Sequence, residues 1–309
     1  MKLQKNKFFF LNTLLLILVL SFQATNATAD KTKTTLLTPA NVLENSSASD
    51  WRTPKPENLL HLQLEHGEVL FELAPDFAPA HVDNLRTLAN NFYFDGLAII
   101  RSQDNYVVQW GDPNAETKPK PLGDAAKNLK PEFFRNREGL IFNAIKSQDA
   151  YAPIVGFSSG FSMGADENRA WLTHCYGALG VGRGMEANSG NAAELYVVTG
   201  HSPRHLDRNV TLIGRALSGM KHLSSLPRGT DPLGFYKTAE ERVIIKSIRF
   251  DDTLEEGQRS NLEVLRTDTE TFNDFVTSRT YRLHEWFLDP TGKIELCNVG
   301  VPVRKKVPN

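Results

Sequence analysis

Ile99-Ile100-Arg101-Ser102-Gln103-Asp104-Asn105-Tyr106-Val107-Val108-Gln109-Trp110-Gly111-Asp112-Pro113 reads as two short strands, around Leu97 to Ser102 and Tyr106 to Gly111, joined by a polar turn. Outward from it the same period-2 signal recurs. Leu60, Leu62 and Leu64 alternate with polar residues, Gly67 follows a turn position, and Val69, Phe71 and Leu73 resume the alternation, which predicts a hairpin with one buried face. Pro79 then opens a helix in which Val82, Leu85, Leu88 and Ala89 share a face; proline suits the first turn, where its missing N–H leaves no bond unmade. Downstream, Ala178 to Val181, Leu195 to Thr199, Thr211 to Leu217 and Arg242 to Phe250 are strand-like, and Ser218 to Leu226 reads as a second helix.

Four segments in fixed order, Pro79 to Asn91, Arg101 to Pro113, Gly177 to Gly184 and Glu194 to Gly214, resemble the core of cyclophilins, the barrel-built peptidyl-prolyl isomerases. The resemblance covers Leu59 to Phe250. It implies a mainly β fold: a closed eight-stranded antiparallel cyclophilin-like barrel capped by two helices. The implied divisions are a signal peptide over 1–29, a flexible N-terminal arm over 30–58, the cyclophilin-like domain over 59–250 and a C-terminal extension over 251–309. Residues 113–176 form an enlarged insertion by comparison with the family.

By position, Arg101 and Gln109 match the catalytic pair of the family, and Tyr106, Val107, Glu194, Tyr196, His205 and Leu206 match its substrate-binding residues. The departures are Ile99 and Ile100 before the arginine, Val107 for a methionine, Tyr106 and Tyr196 for phenylalanines, His205 for an aromatic and Val210 for a histidine. Glu194 replaces a glutamine, and its carboxylate is expected to orient Arg101 through a charge-assisted bond or to tie it up. The chemistry implied needs no metal and no cofactor. Partners are proline-containing polypeptides bound by a monomer; the alternative is a non-catalytic peptide-binding module.

Composition adds a compartment. Lys2, Lys5 and Lys7, the apolar run Phe8 to Phe22 and Ala27-Thr28-Ala29 form a secretory signal, so the mature chain is expected to be exported, with a periplasm preferred and no membrane span after cleavage. A net charge of −1 offers no basic surface for nucleic acid. Cys175 and Cys297 both fall in the exported part, where either a bridge or two buried thiols is compatible with the sequence. Past Phe250, Asp268 to Ser278 has a helical period, and Tyr281 to Leu288 with Lys293 to Val301 flank a turn at Asp289-Pro290-Thr291-Gly292, which predicts a terminal hairpin.

Two motifs point elsewhere. Gly156-Phe157-Ser158-Ser159-Gly160 and Gly160-Phe161-Ser162-Met163-Gly164 match the short pattern of a serine hydrolase nucleophile, with His174 downstream. That pattern needs a strand-turn-helix setting, whereas the surroundings read as antiparallel strands. His201 and His205 have metal-ligand spacing on a helix, but Pro203 between them argues against that helix.

Overall fold

The computed structural model describes residues 37–306. The signal sequence and the first residues of the arm lie outside them. Eight antiparallel strands close a barrel: β1 (Leu59–Leu64), β2 (Gly67–Leu73), β3 (Ala98–Ser102), β4 (Val107–Gly111), β5 (Ala178–Val181), β6 (Leu195–Val198), β7 (Leu212–Ser218) and β8 (Val243–Phe250). Their order round the barrel is β5-β6-β4-β3-β8-β1-β2-β7, with β7 pairing back to β5, so no strand edge is left open. Alternate side chains such as Leu60, Phe71, Val108, Trp110 and Val197 fill the interior. Burying each contributes about 1.5–3 kcal/mol.

The helix Pro79–Asn90 lays Val82, Leu85, Leu88 and Ala89 onto that interior. Its N-cap residue, Ala78, has no side chain to cap with; the Glu132 carboxylate accepts the Ala80 and His81 N–H groups instead. The second helix expected at Ser218 to Leu226 is a single turn, Lys221–Ser224, which inserts Leu223 into the same core.

Three expectations need correction. The β1–β2 hairpin is buried on both faces, because Leu59 and Leu70 on its outer side pack against Val264 of the extension. The arm, expected to be flexible over 30–58, carries regular structure from residue 39. The helix Pro39–Glu44 is capped by Thr38, and strand Trp51–Arg52 pairs with Leu262–Leu265. Its few apolar residues show no period, yet Val42 and Trp51 are buried against Phe272, Phe275 and Leu296 of the extension. The terminal hairpin does not form: helix Glu270–Tyr281 runs through the first proposed strand's start, and Val303–Lys305 pairs with Leu262–Leu265 instead.

The insertion builds a five-stranded sheet in the order Arg135–Asn136, Arg169–Leu172, Phe161–Ala165, Ile154–Ser158, Asn143–Ala144. Its faces serve different neighbours. Val155, Phe157 and Trp171 pack on the extension, whereas Phe161, Met163, Ala170 and Leu172 pack on the barrel's outer wall beside Val107, Tyr196 and Val198. Both serine patterns lie on the Ile154–Ser158/Phe161–Ala165 hairpin, whose turn is Ser159-Gly160, so neither forms a strand-turn-helix elbow.

Cys175 and Cys297 form a disulfide that ties the end of the insertion, just before β5, to the extension across 122 residues. Closing so long a loop restricts the unfolded chain by about 4–5 kcal/mol in the chain-entropy account. Replacing both cysteines by serine is expected to lower Tm by about 5–10 °C, read by calorimetry of the oxidised protein. An unchanged midpoint would mean that the extension gains nothing from the tie.

Candidate active site

On the barrel's outer wall, four residues from four adjacent strands stand in one row. Gly180 on β5 is paired with Tyr196 on β6, Tyr196 with Gln109 on β4, and Gln109 with Arg101 on β3. The last pairing depends on an irregularity. Ile99 faces Trp110 in register, but the next pair is Arg101 with Gln109, so Ile100 is one extra residue in β3. Without it Arg101 would pair with Val108, whose side chain is in the barrel core, and the guanidinium would point inward.

Arg101 is half-buried and held on three sides. Its Nε donates to the Leu233 carbonyl at 2.7 Å, Nη1 to Gln109 Oε1 at 3.0 Å, and Nη2 to Gln103 Oε1. One N–H on each terminal nitrogen is left over. The charge sits 5.5 Å from the Tyr106 ring centre and 5.2 Å from that of Phe235. Burial lowers its pKa, while Tyr106 and Glu194 act in the opposite direction; a guanidinium remains a cation throughout.

Glu194 does not touch Arg101, contrary to expectation. Gln109 stands between them, its amide N–H donating to Glu194 Oε1 and its carbonyl accepting from Arg101. The acidic side chain therefore fixes which way the amide points. It fits because Gly182 lacks a side chain: a Cβ there would come within 2.4 Å of Glu194 Oε1. Burial raises the Glu194 carboxyl above its ordinary 4.5, against the opposing pull of the Gln109 bond and the Arg101 charge.

Arg101, Tyr106, Val107, Gln109, Tyr196 and Leu206 surround one concavity of about 290 Å³, together with Gly182, Arg183 and Val210. The Tyr196 ring lies flat across β5 because Gly180 is there; a Cβ at Gly180 would meet the ring at 2.3 Å. Two predicted site residues do not line the cavity. Glu194 lies behind Gln109, and the exposed His205 stacks on Tyr106 with ring centres 6.4 Å apart.

The sequence missed what holds Tyr196. Its hydroxyl donates to His174 Nε2 at 2.8 Å, and His174 Nδ1–H donates to Asp207 at 2.8 Å. Asp207 takes Arg204 Nε at 2.5 Å, and Arg204 forks onto Asp149. Burial depresses the His174 pKa against the pull of Asp207, so the ring is neutral and its second nitrogen accepts. His174, read first beside the serine motifs, thus serves the barrel wall, while Ser162 bonds to Thr173. His174 and Asp149 both belong to the insertion, so the insertion braces the back of the concavity. Among the described residues no group of three or more His, Cys, Asp or Glu side chains could hold a metal ion.

Residues 59–249 match the family model for cyclophilin type peptidyl-prolyl cis-trans isomerase/CLD, well over half of the chain. A probable peptidyl-prolyl cis-trans isomerase of Brucella suis is 24% identical over 189 residues, covering 61% of this chain and 79% of that protein. A putative peptidyl-prolyl cis-trans isomerase of Staphylococcus haemolyticus is 43% identical over 49 residues, 16% of this chain and 25% of its own length. The crystal structure of cyclophilin AquaCyp293 from Hirschia baltica superposes with a TM-score of 0.66 at 25% identity, over 84% of this chain and 95% of its own. With the family model matched over most of a closed eight-stranded barrel, and an arginine, a glutamine and two tyrosines gathered on that barrel's outer wall, this chain belongs to the cyclophilin-type peptidyl-prolyl cis-trans isomerases.

Proposed function

We propose that the chain isomerises prolyl bonds during the folding of exported proteins, with Arg101 as the residue that stabilises the twisted amide. Rotation about the C–N bond breaks its conjugation at a cost of about 18–20 kcal/mol. As the bond twists, the nitrogen lone pair becomes an acceptor that the planar amide lacks. A donor aimed at it binds the twisted state better than either isomer, and this difference is the catalysis. No nucleophile or proton transfer is needed.

The observation that carries this reading is the pair of unused Arg101 N–H groups beside an apolar cup of Tyr106, Val107, Tyr196 and Leu206. The cup holds the proline ring. Gln109 grips the substrate backbone, and Glu194 sets the orientation of that amide. Export to a periplasm is supported by the signal-like start and by the disulfide, which persists in oxidising compartments. No helix among the described residues is long and apolar enough to cross a membrane. The chain acts as a monomer on unfolded or extended clients.

Three outcomes are expected. Arg101→Ala lowers kcat/KM for a proline peptide by about a hundred-fold or more while peptide affinity changes little, measured by NMR exchange spectroscopy. Wild type that binds peptide without speeding exchange would instead make this a binding module. For Glu194 the sign follows from burial. The folded chain holds the proton more tightly than the unfolded chain, so stability falls as pH rises from 4.5 through the raised folded value, and the deficit persists above it. Glu194→Gln is therefore expected to be more stable than wild type at neutral pH, with the gap closing in acid, in denaturant titrations across pH. Glu194→Ala, which also frees the Gln109 amide, lowers turnover about ten-fold.

A further inference from the structure

Arg183 follows β5 and lines the same concavity as Arg101, at the other end of the row that runs through Gln109 and Tyr196. Its Nε donates to the Asn209 carbonyl at 2.9 Å, and Nη1 donates to the carbonyls of Gly184 at 2.8 Å and Met185 at 3.3 Å. Its guanidinium carbon stands 5.9 Å from the Phe133 ring centre. Three backbone carbonyls thus fix the guanidinium without neutralising it, and Nη2 makes no hydrogen bond to any described residue. No carboxylate lies within 4.0 Å of it among the described residues.

The other charges around the cavity do not offset it. Glu194 is turned toward Gln109 and its ionised form is disfavoured by burial. Asp207 is buried and already shared between His174 and Arg204. The groove therefore presents two cations, one at each end, and Glu194, which lies behind Gln109 and against Gly182, forms an ion pair with neither. A pinned fork with a free nitrogen loses little conformational entropy on binding, which suits it to a carboxylate.

We propose that Arg183 makes this isomerase select prolines flanked by an acidic residue. The inference rests on the isomerase reading and names its substrate class. Three strand spacings separate Gly180 from Arg101, about 14 Å in all. An extended peptide advances about 3.3 Å per residue. With the proline ring in the cup midway, a Glu or Asp one or two positions from it reaches the Arg183 end. A lysine in that place meets an uncompensated like charge.

The test uses the full chain and a peptide series with Glu, Gln or Lys at each of the two positions on either side of a single proline. NMR exchange gives kcat/KM and fluorescence anisotropy gives Kd for every peptide. At one of those positions Glu is expected to exceed Gln by about five-fold, with Lys lower still, and the advantage shrinks in ~0.5 M salt. Arg183→Gln brings the Glu to Gln ratio close to one, and Arg183→Glu reverses the order in favour of Lys. Equal values for Glu and Gln with wild type overturn the proposal while leaving the isomerase reading intact. So does a preference that survives in Arg183→Gln. If no peptide is isomerised, that reading fails, and the anisotropy series still decides whether Arg183 selects acidic peptides.

Discussion

One residue too many in a strand decides which side of the barrel the Arg101 guanidinium faces. In β3, Ile99 looks inward at Trp110 and the bulge at Ile100 absorbs one step of the pleat, so Arg101 emerges on the outer wall opposite Gln109. A regular strand would bury the guanidinium among leucines and phenylalanines, where an unpaired charge costs several kcal/mol. The Tyr236 N–H donates to the Ile100 carbonyl, and Arg101 Nε donates to the Leu233 carbonyl. The loop beyond the second helix thus anchors both the bulge and the side chain that it redirects.

From that placement the rest of the site follows as a series of fits. Gly180 on β5 and Gly182 just past its end leave room for a tyrosine ring and for a carboxylate. Tyr196 carries a hydroxyl that a buried wall would otherwise leave unsatisfied, and His174 of the insertion supplies the acceptor. The chain of bonds continues through Asp207 and Arg204 to Asp149, which also lies in the insertion. The insertion is therefore structural at the site: it satisfies the polar groups that the wall has acquired. The disulfide and the shared apolar cluster around Phe157 and Phe272 fasten the extension to that same sheet.

The first hairpin was legible as strands from its alternation and its turn glycine, and the closure of eight strands into a barrel from the resemblance of four ordered segments to cyclophilins. Arg101, Gln109, Tyr106 and Tyr196 were legible as positions that match cyclophilin motifs in two short segments. What escaped the sequence was set by distant pairings. Trp51 becomes a strand residue only because Leu265 lies beside it, and Val303–Lys305 finds its partner some forty residues upstream rather than across the local turn. Glu194 was assigned to Arg101 directly, since nothing in the chain reveals that the Gln109 amide intervenes. His174 was read beside serines for the same reason: its partners, Tyr196 and Asp207, are 22 and 33 residues away.

The central claim concerns one hydrogen bond made only as the amide turns. A high-resolution structure with a bound Ala-Pro-containing peptide tests it most directly. The account predicts the proline ring between Tyr106, Val107, Tyr196 and Leu206, and a terminal nitrogen of Arg101 in van der Waals contact with the prolyl nitrogen, about 3.5–4 Å away, on the face where the lone pair emerges as the amide turns. A peptide seated away from this concavity, or one whose prolyl nitrogen is out of reach of Arg101, would contradict it.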